Sequence, residues 1–136
     1  MTSIDACRAI SLPRIHDPRG SLSFVEAENH IPFPIRRVFY VYGVPPGESR
    51  GAHAHHRCHQ FLLCLSGALD VCVDDGVSKR TFRLDQPSVG LYIPPKIWAA
   101  ETDFAPGTVL LVLASDRYEA DDYLRDYDAF LEAVRT

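Results

Sequence analysis

The stretch Gly47-Glu-Ser-Arg-Gly-Ala-His-Ala-His-His-Arg-Cys-His-Gln-Phe-Leu-Leu-Cys-Leu-Ser-Gly67 decides how this chain folds. It holds His53 and His55 two residues apart, within a run that reads as a β-strand. On a strand, residues i and i+2 project from the same face. The two imidazoles therefore stand side by side and share one space. A neutral imidazole there can ligate a metal, move a proton, or make a core hydrogen bond. The surrounding sequence has to discriminate among the three.

Working outward, short apolar runs recur with turn signals between them. The pattern predicts strands over Ser21–Glu26, Arg36–Tyr42, Gly51–His55, Gln60–Ser66, Ala68–Val73, Val77–Leu84, Val89–Ile93 and Val109–Ala114. Such spacing belongs to an all-β sandwich or barrel. Asp74-Asp75-Gly76 between two runs is a hairpin signal. Pro94-Pro95 ends the run at Ile93, because proline cannot donate to a ladder. In Glu119–Val134 the period changes. Tyr123, Leu124, Tyr127, Phe130, Leu131 and Val134 recur at helical spacing, which predicts an amphipathic helix packed outside the β-domain. Acidic residues at its start suit the helix dipole.

Composition narrows the class. The chain has 136 residues, the size of one domain, with 46% hydrophobic and 24% charged residues. A net charge of -4 argues against a nucleic-acid binder, which would carry a basic stripe. It leaves room for an anionic small ligand held by local arginines. No apolar run approaches a membrane span, and no signal peptide is evident. Cys7, Cys58, Cys64 and Cys72 form no C-x-x-C pair and read as reduced, structural thiols in a cytoplasmic protein.

The spacing of the opening stretch resembles the first motif of the cupin family, G-x5-H-x-H-x3-4-E-x6-G. Gly47, His53, His55 and Gly67 fall in place, and Gln60 stands where the glutamate would be. The resemblance implies an all-β cupin jelly roll, here with a C-terminal α-helix, as a single domain over residues 1–136. The second cupin motif maps onto Gly90-Leu-Tyr-Ile-Pro-Pro-Lys-Ile-Trp-Ala-Ala100, with Ala99 where its histidine would fall. Two imidazoles rarely hold a catalytic ion, which usually has three or more protein ligands. The expectation is therefore no metal and no cofactor, with the histidines moving protons. His16, His30, His56 and His59 read as surface residues. Strand parity puts Tyr40 and Tyr42 on one face. If that face is the interior, a phenol would sit near the imidazoles.

Over about Asp17 to Phe130 the chain resembles a narrower branch, the sugar nucleotide 3,4-ketoisomerases that act on dTDP-4-keto-6-deoxyglucose. The likeness is carried by Asp17-Pro-Arg-Gly-Ser-Leu22, Ile35-Arg-Arg-Val-Phe-Tyr40, Arg50-Gly-Ala-His-Ala-His55, Gln60-Phe-Leu-Leu-Cys64, Asp74-Asp-Gly76, Gly90-Leu-Tyr92, Trp98, Val112-Leu-Ala-Ser115 and Asp122-Tyr-Leu-Arg-Asp-Tyr127. It implies that His53 and His55 are the catalytic pair and Tyr40 the hydroxyl shuttle. It further implies that Arg19, Arg50 and Trp98 bind a dTDP-linked keto sugar. A homodimer that exchanges the N-terminal strand of residues 1–14 is also expected, since Met1–Arg14 has little else to hold it. The alternatives are a 3,5-epimerase, a non-catalytic sugar-nucleotide-binding cupin, and a metal-dependent cupin oxygenase.

Overall fold

The computed structural model of the chain describes residues 1–135. After a 3-10 turn at Ile4–Ala6, the strands are β1 (Arg8–Ser11), β2 (Arg14–Asp17), β3 (Gly20–Ser23), β4 (Arg37–Val41), β5 (Arg50–His55) and β6 (Gln60–Ser66). They continue as β7 (Leu69–Asp74), β8 (Lys79–Leu84), β9 (Val89–Ile93), β10 (Trp98–Thr102), β11 (Val109–Ala114) and β12 (Tyr123–Leu124). Helix α1 (Tyr127–Arg135) closes the described chain. Two antiparallel sheets, ordered β1-β9-β6-β11-β4 and β12-β5-β10-β7-β8, face each other as a jelly roll. β2 and β3 pair only with one another.

Side-chain alternation sorts the apolar residues into three layers. Leu62, Cys64, Leu91, Ile93, Leu110 and Val112 of the first sheet meet Leu69, Val71, Val73 and Ala99 of the second. Each large aliphatic residue buried there contributes about 1.5–3 kcal/mol. The opposite face of the first sheet, with Phe61, Leu63, Tyr92 and Leu113, is partly covered by Ile31 and Phe33. On the far face of the second sheet, Ala54 and Trp98 are covered by Leu124, Phe130 and Val134.

Two segments depart from the sequence expectation. The helix predicted over Glu119–Val134 begins only at Tyr127. Before it lie a 3-10 turn at Ala120–Asp122 and β12, whose Tyr123 and Leu124 pair with His55 and Ala54 at the edge of β5. A tertiary partner overrides the helical period here. The Asp122 carbonyl accepts from the His56 amide (2.9 Å), and its carboxylate accepts from the amides of Arg57 (2.8 Å) and Cys58 (3.2 Å). α1 starts afresh where the Asp126 carboxylate accepts from the Ala129 amide.

The second departure is at the N-terminus, which has a hold within its own chain. β1 pairs with β9, Ile4 and Cys7 enter the core, and the Ile4 amide donates to Asp75 (2.8 Å). Asp75 also accepts from Val77 and Ser78 in the Asp74–Gly76 turn, so one carboxylate ties the hairpin to residues 1–14. β1 falls within the N-terminal strand expected over residues 1–14, whereas β2, β10 and β12 were not anticipated. Trp98-Ala-Ala-Glu-Thr102 is a strand because β5 and β7 pair with it on both sides, although its central Ala-Ala-Glu does not favour one.

Candidate active site

β5 presents Gly51, His53 and His55 to the interior, while Ala54 faces α1. The rings of His53 and His55 lie 5.1 Å apart at 87°. Tyr123, brought alongside by the β12–β5 pairing, sits 5.0 Å from His53 and 4.4 Å from His55. Three ring side chains thus converge on one end of the jelly roll.

The two imidazoles differ in support. His55 Nδ1 lies 3.2 Å from Oδ2 of Asp122, both residues being buried. Two backbone amides already donate to the Asp122 carboxylate, which in turn accepts the Nδ1 proton. Nε2 then carries a free lone pair, and it has no hydrogen-bond partner. Burial pulls the His55 pKa down while Asp122 opposes that pull. His53 has no carboxylate. Burial, then His55, Arg125 and Arg37, lower it to about 4. Both rings are therefore neutral at pH 7 and able to accept a proton, His55 with a counter-charge in place.

Positive charge surrounds the cluster. Arg37 donates from Nη1 to the Tyr123 hydroxyl (3.3 Å), and its guanidinium lies 5.2 Å over Phe39 and 5.6 Å over Tyr118. Arg125 lies 4.2 Å over the Tyr123 ring. Arg37 Nε is sealed from solvent without a partner. Ala99 stands opposite His53 in the β10–β5 register, so a methyl occupies the place of a third imidazole. Gln60 alternates inward with Leu62 and Cys64 and offers an uncharged amide.

His55, Cys58 and Asp122 bring one donor atom each within 4.8 Å of one another. These groups are committed to hydrogen bonds: Asp122 to His55 and two amides, and Cys58 Sγ to the His59 carbonyl (3.4 Å).

The structure brings together His53 and His55 but not the other expected residues. Within this chain Tyr40 stands apart from the pair. Phe39 and Val41 take the inward positions of β4, so Tyr40 points outward, 61% exposed and stacked on Tyr42. The tyrosine beside the histidines is Tyr123. Trp98 packs edge-on against Tyr127 (5.2 Å) and against Phe130 (5.7 Å) beneath α1, on the face away from the imidazoles. Arg19 sits in the β2–β3 turn and pairs with Asp17 (2.7 Å), its side chain 90% exposed. Arg50 is exposed at the start of β5 and borders a recess of about 500 Å³ with Gly51, Tyr42 and Glu48. Asp122, Tyr123, Arg37 and Arg125 were missed as site residues, although Asp122-Tyr-Leu-Arg-Asp-Tyr127 carried part of the family likeness.

A jelly roll with paired inward imidazoles, one backed by a carboxylate, defines a cupin built for acid–base chemistry. The chain belongs to the FdtA family (WxcM-like, C-terminal), whose pattern it matches over residues 5–135. It is 44% identical over 127 residues to the TDP-4-oxo-6-deoxy-alpha-D-glucose-3,4-oxoisomerase of Aneurinibacillus thermoaerophilus, covering 93% of this chain and 91% of that protein. Its fold superposes on the sugar 3,4-ketoisomerase QdtA of Thermoanaerobacterium thermosaccharolyticum, solved with TDP, at a TM-score of 0.95 and 38% identity, covering 98% and 97% of the two chains. The TDP-quinovose 3,4-ketoisomerase WlaRB of Campylobacter jejuni matches at 0.91 and 42% identity, covering 95% and 99%.

Proposed function

We infer that the chain is a sugar-nucleotide 3,4-ketoisomerase of deoxysugar biosynthesis that converts dTDP-4-keto-6-deoxyglucose to a dTDP-3-keto-6-deoxyhexose. The observation that carries the chemistry is the pair of neutral imidazoles with Tyr123 across them and Asp122 behind one. Moving a ketone from C4 to C3 takes a proton from C3 and delivers one to C4 through an enediol. Nε2 of His55 takes the C3 proton, and Asp122 stabilises the imidazolium that results. Tyr123, its hydroxyl oxygen already accepting from Arg37, keeps its own proton to give to the C4 oxygen. The tyrosinate then recovers a proton from the C3 hydroxyl as the imidazolium protonates C4. His53, neutral and flanked by arginines, orients a sugar hydroxyl. Arg37 and Arg125 supply the positive charge nearest the reacting sugar, and Arg50 at the mouth is placed for the diphosphate.

The active form is a cytoplasmic homodimer. The outward face of the first sheet leaves Val38, Tyr40 and Leu65 exposed beside a largely apolar groove of about 870 Å³. Ile15 and Leu22 of the β2–β3 hairpin are exposed as well. An apolar patch of this kind marks a protein contact. Light scattering should give twice the chain mass, and Val38→Glu with Leu65→Glu should give the monomer. A monomeric wild type refutes the assembly.

Proton NMR of dTDP-4-keto-6-deoxyglucose in deuterated buffer tests the reaction. The expected result is a 3-keto sugar whose C3 proton signal is gone and whose C4 carries deuterium. Exchange at C5 would mean epimerisation, and no change would mean a binding module. His55→Asn and His53→Asn should lower the rate by about 10²–10⁴ with the fold retained.

A further inference from the structure

A carboxyl group outside this constellation also points into the jelly roll. On β10, Ala99 and Glu101 lie opposite Val73 and Val71 of β7, both in the central core, so they share the inward face. On the other side of β10, Ala99 pairs with His53 and Glu101 with Arg50, across a register irregularity. Glu101 is thus the next inward position after the His53–Ala99 pair, about 7 Å along the strand. The fold makes room for it. Residue 51 is glycine at a φ of +80°, and a Cβ there would overlap the Glu101 carboxyl. Oε2 is sealed from solvent and has no hydrogen-bond partner.

A lone buried carboxyl is costly unless something pairs with it. Burial raises its pKa to about 7, with its own backbone amide and then Arg50 only partly opposing the rise. The groups around it are few. β5 offers Arg50 in register and His53 one inward position away, and β7 offers only Val71. Held protonated, a carboxylic acid becomes a hydrogen-bond donor, while Arg50 at this level stands at the mouth. A keto sugar lying against His53 presents oxygens that need such a donor.

We propose that Glu101 is a substrate-binding residue whose carboxyl O–H donates a hydrogen bond to an oxygen of the keto sugar. This deepens the ketoisomerase reading and rests on it for the identity of the ligand. Ionised, Glu101 would lose the donor and set a negative charge against an anionic substrate. Binding is therefore strongest below neutral pH and weakens as the carboxyl ionises.

The test is the pH dependence of kcat/KM and of calorimetric affinity for dTDP-4-keto-6-deoxyglucose, in wild type, Glu101→Gln and Glu101→Ala. Wild type should lose affinity about tenfold per pH unit well above pH 7. Glu101→Gln, which keeps an N–H donor, should bind within about threefold of wild type at pH 6 and lack the alkaline loss. Glu101→Ala should bind about 10- to 100-fold more weakly at pH 6, with KM carrying most of the change. At pH 6, affinity for TDP, which lacks the sugar, should be the same in all three. The same alkaline limb in Glu101→Gln as in wild type overturns the proposal, as does wild-type affinity in a folded Glu101→Ala. Absence of turnover in wild type with the affinity pattern intact would instead overturn the ketoisomerase reading alone.

Discussion

The inner face of β5 and the outer face of β4, with the residue just after it, each carry two ring side chains at positions i and i+2. His53 and His55 meet edge to face at 5.1 Å, with His55 buried, carboxylate-backed and covered by Tyr123. Tyr40 and Tyr42 stack at 6.0 Å and are 61% and 68% exposed. Spacing alone treats the two pairs alike. What separates them is cover. β12 folds over one end of β5, whereas nothing among the described residues covers Tyr40 and Tyr42. Strand parity fixes which side chains share a face, and the rest of the chain decides whether that face becomes a site.

The largest effect that tests this difference is at Asp122. Asp122→Asn preserves shape but removes the carboxylate that holds His55 Nδ1–H. Its amide NH₂ can point at the ring and favour the tautomer with the proton on Nε2, so the base is lost rather than merely moved. We expect kcat to fall about 100-fold, the lower end of what a positioned acid–base group contributes. The activity should return only partly at higher pH. Asp122 also caps the Arg57 and Cys58 amides, so Tm should be measured alongside. Wild-type kcat in a folded variant would mean that cover by β12 contributes nothing to His55.

A smaller effect separates the two tyrosine settings directly. Tyr123→Phe keeps the ring against both imidazoles and deletes only the hydroxyl that accepts from Arg37. A loss of about tenfold in kcat is expected, with KM little changed. Tyr40→Phe should leave kcat within about twofold, because its hydroxyl faces away from the imidazoles. Dilution into the monomer range should be avoided in both assays, since Tyr40 borders the proposed dimer face. A larger loss at Tyr40 than at Tyr123 would reverse the assignment.

Why one pair was legible and its partners were not follows from where the information lies. The Gly47–Gly67 spacing is local, and parity on a strand needs no knowledge of the neighbours. Gln60 and Ala99 were also readable, as an amide and a methyl at two motif positions. Tyr123 was not, because 119–126 has the amphipathic period of a helix. Only the open edge of β5, more than sixty residues earlier, draws it into a strand. Trp98 misled for a related reason. A single tryptophan beside a site motif suits stacking on a ligand, yet alternation on β10 turns it towards α1 while Ala99 and Glu101 turn inward. Glu101 carried no signal, since Ala99, Ala100 and Glu101 are poor strand formers in the middle of WAAET.

The most modest effect is on stability, and it measures how deeply cover reaches the uncapped imidazole. His53 is lowered to about 4 by burial and by its cationic neighbours, whereas the unfolded chain returns it to about 6.5. Between those values the unfolded state binds the proton and the folded state does not. Folding stability contributed by this residue is therefore full above pH 6.5 and is lost as pH falls through about 4. One such group changes stability by at most about 1.4 kcal/mol per pH unit in that window, or a few degrees in Tm. His53→Asn removes the titration while keeping a polar side chain of similar reach. Wild type should lose Tm relative to His53→Asn from pH 6.5 down to about 4, and the two curves should run parallel above neutrality. Parallel curves throughout would mean that His53 is as open to water as the tyrosines of β4, and that the contrast between the two faces ends at His55.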